Sequence, residues 1–153
     1  MIDTGSRPRR SPLLAVATEL RPHQWVKNLL VIVPAIAAHR VHEPAVLVGS
    51  LLSFVSFCLA ASAVYITNDI LDAPSDRLHP RKQFRPIAAG ELSIPVARAI
   101  AFACVAGALL TAWTAVSPPV AGMILLYFAV SLAYSIRLKR EPVVDVFVLE
   151  LEV

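Results

Sequence analysis

Two stretches of this chain carry no charge, and they decide what it can fold into. From Pro44 to Thr67 there is no Asp, Glu, Lys or Arg for 24 residues, and from Ala99 to Ile136 there is none for 38. A helix needs about 20 apolar residues to cross the hydrocarbon of a bilayer. The first stretch is long enough for one crossing. The second is long enough for two, folded back at Ser117-Pro118-Pro119, where consecutive prolines stop a helix. Soluble helices keep a polar stripe, and neither Leu51–Val64 nor Ala99–Leu110 has a charged one. The fold class read from this is all-α, a polytopic transmembrane helical bundle. Only 16% of residues are charged, against about 25% in an average soluble domain, which excludes an ordinary soluble fold.

A less hydrophobic run from about Pro22 to Ala38, interrupted by Pro34, reads as a first span. The others are then Pro44–Thr67, about Pro95–Val116 and about Val120–Ile136. Val143–Leu149 reads as the start of a fifth. Residues 1–20 read as a polar, basic tail with a short interfacial helix over 11–20, and residues 21–153 as one partial transmembrane domain. The apolar run Pro12–Thr18 is too short for a cleaved signal peptide, ends at Glu19 and Arg21, and lacks a small-residue cleavage site. Cys58 and Cys104 both lie inside apolar spans and read as small buried hydrophobes.

Lysine and arginine set the expected orientation. Five lie in the N-terminal region through Lys27 (Arg7, Arg9, Arg10, Arg21 and Lys27). Five more (Arg77, Arg81, Lys82, Arg85 and Arg98) lie on or just after the connection from Asn68 to about Ile94, and three lie in Arg137–Arg140. The opposite turns hold only Arg40 and none. Positive residues stay on the cytoplasmic side. The N-terminus and the long connection are therefore expected in the cytoplasm, with the chain integral to the cell membrane. The formal charge of +3 is a topology signal and gives no argument for nucleic acid.

The residues suited to chemistry gather at the end of the second span. Asp69, Asp72 and Asp76 stand at i, i+3 and i+7, which puts them on one helix face. Three like charges there need a compensating cation, and Mg²⁺ takes one or two carboxylates together with waters and phosphate oxygens. Pro74 falls inside this run and is expected to swing Asp76 away from the face shared by Asp69 and Asp72. Arg77, Arg81, Lys82 and Arg85 follow directly, with guanidinium groups suited to gripping phosphate. In the first span His23, Gln24, Lys27 and Asn28 recur at helical spacing as a polar face, the kind that normally points into a cavity.

The string N-D-x-x-D-x-x-x-D from Asn68 to Asp76 runs into D-R-x-H-P-x-K-x-x-R-P-I-A-x-G, ending at Gly90. Together with R-P-H-Q-W-V-K-N-L-L-V at Arg21–Val31 and Y-S-I-R-L-K-R at Tyr134–Arg140, it resembles the UbiA superfamily of intramembrane prenyltransferases. The resemblance is closest to the branch that transfers phosphoribose to polyprenyl phosphate in cell-wall synthesis, and it runs from about Arg21 to Leu149. It implies the N-terminal half of a nine-helix bundle whose lipid-accessible cavity holds Mg²⁺ and diphosphate between two Asp-rich motifs. It implies Asp69 and Asp72 as catalytic, with Asp76 as a further metal ligand. Lys27, Asn68, Arg77, Lys82, Arg85, Tyr134 and Lys139 would contact substrate. The partners implied are a polyprenyl lipid, a phosphorylated co-substrate and the bilayer. Phosphoribosyl transfer from phosphoribosyl diphosphate is the expected reaction. Prenyl transfer from a polyprenyl diphosphate to an aromatic or other acceptor remains the alternative, as does an inactive membrane fragment. The second acidic motif lies beyond Val153, so the 153-residue chain is expected to be inactive alone.

Overall fold

The structure, a computed structural model, describes residues 9–136. The start of the fifth helix, the Arg137–Arg140 turn and Lys139 lie outside the described residues. Ser11 opens the first helix, α1 (Pro12–Leu20), by accepting the Leu14 N–H on its Oγ at 3.3 Å, with Pro12 at the first helical position. That position suits proline because its missing N–H would have had no partner there. The helix stops at Arg21, which adopts a left-handed conformation (φ 50°, ψ 57°). The following Pro22 disfavours a right-handed helix at Arg21.

The next segment departs from the sequence reading. Instead of one α-helix over 22–38, a 3₁₀ stretch (Pro22–Val31) leads into a five-residue α2 (Val33–Ala37). Three prolines and two left-handed residues explain this. Pro22 follows the left-handed Arg21, Pro34 removes an N–H, His39 (φ 54°) ends α2, and Pro44 starts the next helix. The tighter winding still carries the chain far, because a 3₁₀ helix rises about 2 Å per residue.

α3 (Pro44–Asp76) is 33 residues long, about 50 Å at 1.5 Å per residue. It outruns a hydrocarbon core of about 30 Å, so its last turns, from about Asn68 on, extend past the apolar slab. The connection expected from Asn68 is therefore helical as far as Asp76. Pro74 does not break it. A proline removes the bond from its own nitrogen to the carbonyl four residues back, and here the helix ends within one turn. The Arg77 N–H still reaches the Ala73 carbonyl at 3.2 Å. The connection then runs through a single 3₁₀ turn (Lys82–Phe84) and a loop at Pro86–Leu92 that turns at Gly90 (φ 74°). Both the Glu91 and Leu92 N–H groups close back onto the Pro86 carbonyl.

α4 (Ile94–Thr111) extends through a π turn at Ala112–Val116, and the chain reverses at Ser117 into α5 (Pro118–Ile136), as the two prolines imply. Among the described residues, three helices are long and apolar enough to cross a membrane: α3, α4 with its extension, and α5. The chain is an all-α integral membrane protein.

Small residues hold the helices together. α4 turns Ala97, Ala101, Cys104, Ala108 and Ala112 inward along one face, against Ala60, Ala63 and Ile66 of α3 and, near the far end, Ala121 and Ile124 of α5. In lipid there is little hydrophobic drive between helices, so close backbone approach over small side chains supplies the packing. At the other end of the same core, Ile87 and Leu92 of the loop pack with Ala73 and Ala97. The loop is therefore fixed to the last turns of α3, where the acidic residues lie.

Candidate functional site

The last turns of α3 carry a buried cluster of opposite charges. Asp69 is 3% exposed and accepts from two arginines that arrive from different parts of the chain. Arg21 Nη2 donates to both its oxygens, at 2.9 Å to Oδ1 and 2.6 Å to Oδ2. Arg85 Nη1 donates to Oδ1 at 2.9 Å. The same Arg85 nitrogen donates to Asp76 Oδ2 at 2.8 Å. Asp76 is as buried as Asp69. The expectation that Pro74 displaces Asp76 is thus corrected: the helix is intact, and residues seven apart share a face.

The backbone break at Arg21 aims its side chain at this cluster. A left-handed conformation costs a residue with a Cβ roughly 1–2 kcal/mol. It persists here with the guanidinium held by Asp69 and lying 5.0 Å from the centre of the Tyr65 ring. Just behind, the Ser62 hydroxyl donates to the Leu20 carbonyl at 2.7 Å and accepts from Trp25 Nε1 at 3.0 Å. These bonds fix the junction between α1 and the 3₁₀ stretch against α3.

Glu19 completes the cluster, and the sequence reading assigned it no role. It is 2% exposed and accepts the Ile87 N–H on Oε1 at 3.1 Å. Its carboxyl also lies within hydrogen-bonding reach of the Asp69 carboxyl. Two carboxyl groups can share a hydrogen bond only if one carries a proton. Burial pushes the Glu19 carboxyl up to about 7, and the Asp69 hydrogen bond and charge add to this, while the Ile87 N–H and Arg21 pull the other way. Asp69 and Asp76 face two guanidinium groups, Arg21 and Arg85. The charge that the sequence assigned to a metal alone is balanced by arginine in this conformation.

The remaining site residues divide into two groups. Asp72 is half-buried on the same helix face, and Asn68, four residues before it, holds its Oδ1 buried with no hydrogen-bond partner. Arg77, Arg81 and Lys82 are exposed on the segment between Asp76 and Arg85, with His79 Nδ1 accepting the Arg81 and Lys82 N–H groups at 3.1 and 3.2 Å. Lys27 is also exposed, in an apolar groove with Val26, Leu29 and Ile36, and is not gathered around Asp69. Its neighbour Asn28 faces inward and donates to Cys58 Sγ at 3.4 Å. Tyr134 is partly exposed near the end of α5.

Among the described residues, no three of His, Cys, Asp and Glu stand close enough together to hold a metal. The donor chemistry nevertheless fits Mg²⁺. That ion takes one or two carboxylates and fills its remaining positions with water and substrate phosphate, so it does not need an all-protein cage. The buried, unpartnered Asn68 Oδ1 is an oxygen donor of the required kind.

Residues 29–151 match the UbiA prenyltransferase family. The decaprenyl-phosphate phosphoribosyltransferase of Mycobacterium tuberculosis is 39% identical over 150 residues, which cover 95% of this chain and 49% of that protein. That of Corynebacterium glutamicum is 39% identical over 130 residues, covering 83% and 39%. The nodulation protein NoeC of Azorhizobium caulinodans is 34% identical, covering 90% and 44%. The chain spans about half the length, or less, of these curated relatives. It belongs to the UbiA prenyltransferase family.

Proposed function

We propose that this chain forms the first substrate-binding half of a Mg²⁺-dependent transferase acting on polyprenyl lipids at the cytoplasmic membrane surface. The favoured reaction is transfer of phosphoribose from phosphoribosyl diphosphate to a polyprenyl phosphate. The observation that carries it is the pairing of buried Asp69 and Asp76 with Arg21 and Arg85 at the end of a membrane-crossing helix, with Arg77, Arg81 and Lys82 exposed on the segment between Asp76 and Arg85. The names of the M. tuberculosis and C. glutamicum relatives support the same choice of substrate.

Mg²⁺, when bound, would supply positive charge to the diphosphate as it leaves. One or two of Asp69, Asp72 and Asp76 would hold it, with water and substrate phosphate filling its remaining positions. Arg21 and Arg85 now hold the Asp69 oxygens. A diphosphate offers them alternative bidentate partners, so substrate entry would exchange guanidinium–carboxylate pairs for guanidinium–phosphate pairs and free the carboxylates. Arg77 and Lys82 add charge from the exposed side. Lys27, Tyr134 and Lys139 are assigned to substrate by their motifs. The apolar faces of the helices would give the lipid access from the bilayer, and the distribution of positive residues supports a cytoplasmic site.

A fusion in which this chain replaces the matching half of the M. tuberculosis relative tests the reading. It is supplied with radiolabelled phosphoribosyl diphosphate, polyprenyl phosphate and Mg²⁺. The expected result is a labelled lipid that disappears with EDTA. Product only from polyprenyl diphosphate and an aromatic acceptor would replace phosphoribosyl transfer with prenyl transfer.

A further inference from the structure

The cluster contains one buried group that the reaction above does not use. Glu19 lies on α1, 50 residues before Asp69 and 68 before Ile87, yet it reaches both. It is 2% exposed, and its neighbour one turn back, Ala15, is fully buried, so the two fix α1 against the core. The loop that Glu19 holds by the Ile87 N–H is the one that carries Arg85 two residues earlier. Ile87 itself is 1% exposed, and its N–H has Glu19 as a buried partner. The same loop is tied a second time to the N-terminal arm, where Arg10 Nη1 donates to Glu91 Oε2 at 2.9 Å and to the Phe84 carbonyl at 3.0 Å.

We propose that Glu19 is a positioning residue for the acidic site: its carboxyl joins the Asp69 carboxylate of α3 to the Ile87 backbone, setting Asp69 and Arg85 at a fixed spacing. This rests on the reading of Asp69 as a diphosphate–metal ligand, and it adds a residue outside the Asp-rich motif. Groups that orient a metal-binding carboxylate affect affinity without touching the metal, and losing one typically weakens binding by about 10–100-fold. The geometry requires a side chain that accepts from Ile87 and bonds Asp69 at once. A carboxamide does both, since its oxygen accepts and its N–H₂ donates. A leucine of similar size does neither.

The test uses the full chain in lipid nanodiscs, as wild type, Glu19→Gln and Glu19→Leu. Two quantities are read: hydrogen exchange at the Ile87 amide by NMR, and binding of the Mn²⁺ complex of inorganic diphosphate by electron paramagnetic resonance. Amides of α4 serve as the control for an intact fold. Wild type and Glu19→Gln are expected to protect Ile87 equally and to bind within about threefold of each other. Glu19→Leu is expected to expose Ile87 and bind at least roughly tenfold more weakly, with α4 protection unchanged. Three results would overturn the proposal: unchanged binding in Glu19→Leu despite an exposed Ile87, which makes Glu19 merely structural; Glu19→Gln failing as badly as Glu19→Leu; or Ile87 remaining protected in Glu19→Leu. If wild type binds no Mn²⁺–diphosphate, the metal reading of Asp69 fails and the proposal falls with it, whereas the three results above strike Glu19 alone.

Discussion

A single nitrogen of Arg85 bridges Asp69 and Asp76, at 2.9 Å from one carboxylate and 2.8 Å from the other. The two acids are two helical turns apart, so this one guanidinium sets the shape of the whole acidic face. Removing one member of a buried pair leaves the other charge uncompensated, which is more damaging than removing both. The Arg85 side chain is 29% exposed, so solvent screens part of the loss. Arg85→Gln should lower stability in detergent by about 1–3 kcal/mol. Asp76→Asn added to it should restore part of that loss. A double variant no more stable than Arg85→Gln would show that the bridge does not relieve repulsion.

Asp76 should matter as much as Asp69. Both are 3% exposed, and both are held by Arg85. In the fusion with the M. tuberculosis half, Asp69→Asn and Asp76→Asn should each reduce the transfer rate by about 100-fold or more, in line with the several kcal/mol that metal stabilisation of a leaving group supplies. Near-wild-type turnover from Asp76→Asn would confine the working site to Asp69 and Asp72.

The Glu19 carboxyl makes stability depend on pH. Its pKa is raised from 4.5 to about 7 in the folded chain, so folding favours its protonated form. The stabilisation is complete below about pH 4.5 and is lost as pH rises through about 7. A shift of that size corresponds to something on the order of 3 kcal/mol. In metal-free protein, the thermal midpoint of wild type should fall relative to that of Glu19→Gln across this window. Parallel profiles for the two proteins would show that Glu19 does not titrate with folding.

Topology is checked by labelling. Gln83 is exposed on the 3₁₀ turn just before Arg85, and the lysine and arginine distribution predicts a cytoplasmic position for that turn. A cysteine at position 83 should resist an impermeant reagent in intact cells and react only after permeabilisation. Rapid labelling from outside would put the proposed site on the wrong side of the membrane.

The spans and the acid-rich helix end were legible because they depend on local patterns: charge-free runs, a Pro-Pro reversal and carboxylates at helical spacing. The 3₁₀ stretch at Pro22–Val31 was not, since Trp25, Val26, Leu29 and Leu30 are as compatible with an α-helix as with a tighter winding. Pro74 misled because its position relative to the helix end, and not its presence, decides whether it disrupts. Glu19 served in the sequence only as the boundary of an apolar run, and Arg21 as that boundary, a topology charge and the start of a motif, without a place in the acidic site. Their value comes from contacts 48 to 68 residues away, which no local period encodes. The available signal was a lone acid ending an otherwise apolar helix, two residues before an arginine that precedes proline.

The central claim is that the Asp69 carboxylate holds Mg²⁺ against the diphosphate. It is tested most directly by the Mg²⁺ dependence of phosphoribosyl transfer in the fusion protein, measured for wild type and Asp69→Asn. The account predicts that Asp69→Asn raises the Mg²⁺ concentration for half-maximal rate by about tenfold or more and lowers the rate at saturation. An identical Mg²⁺ dependence in the two proteins would contradict it.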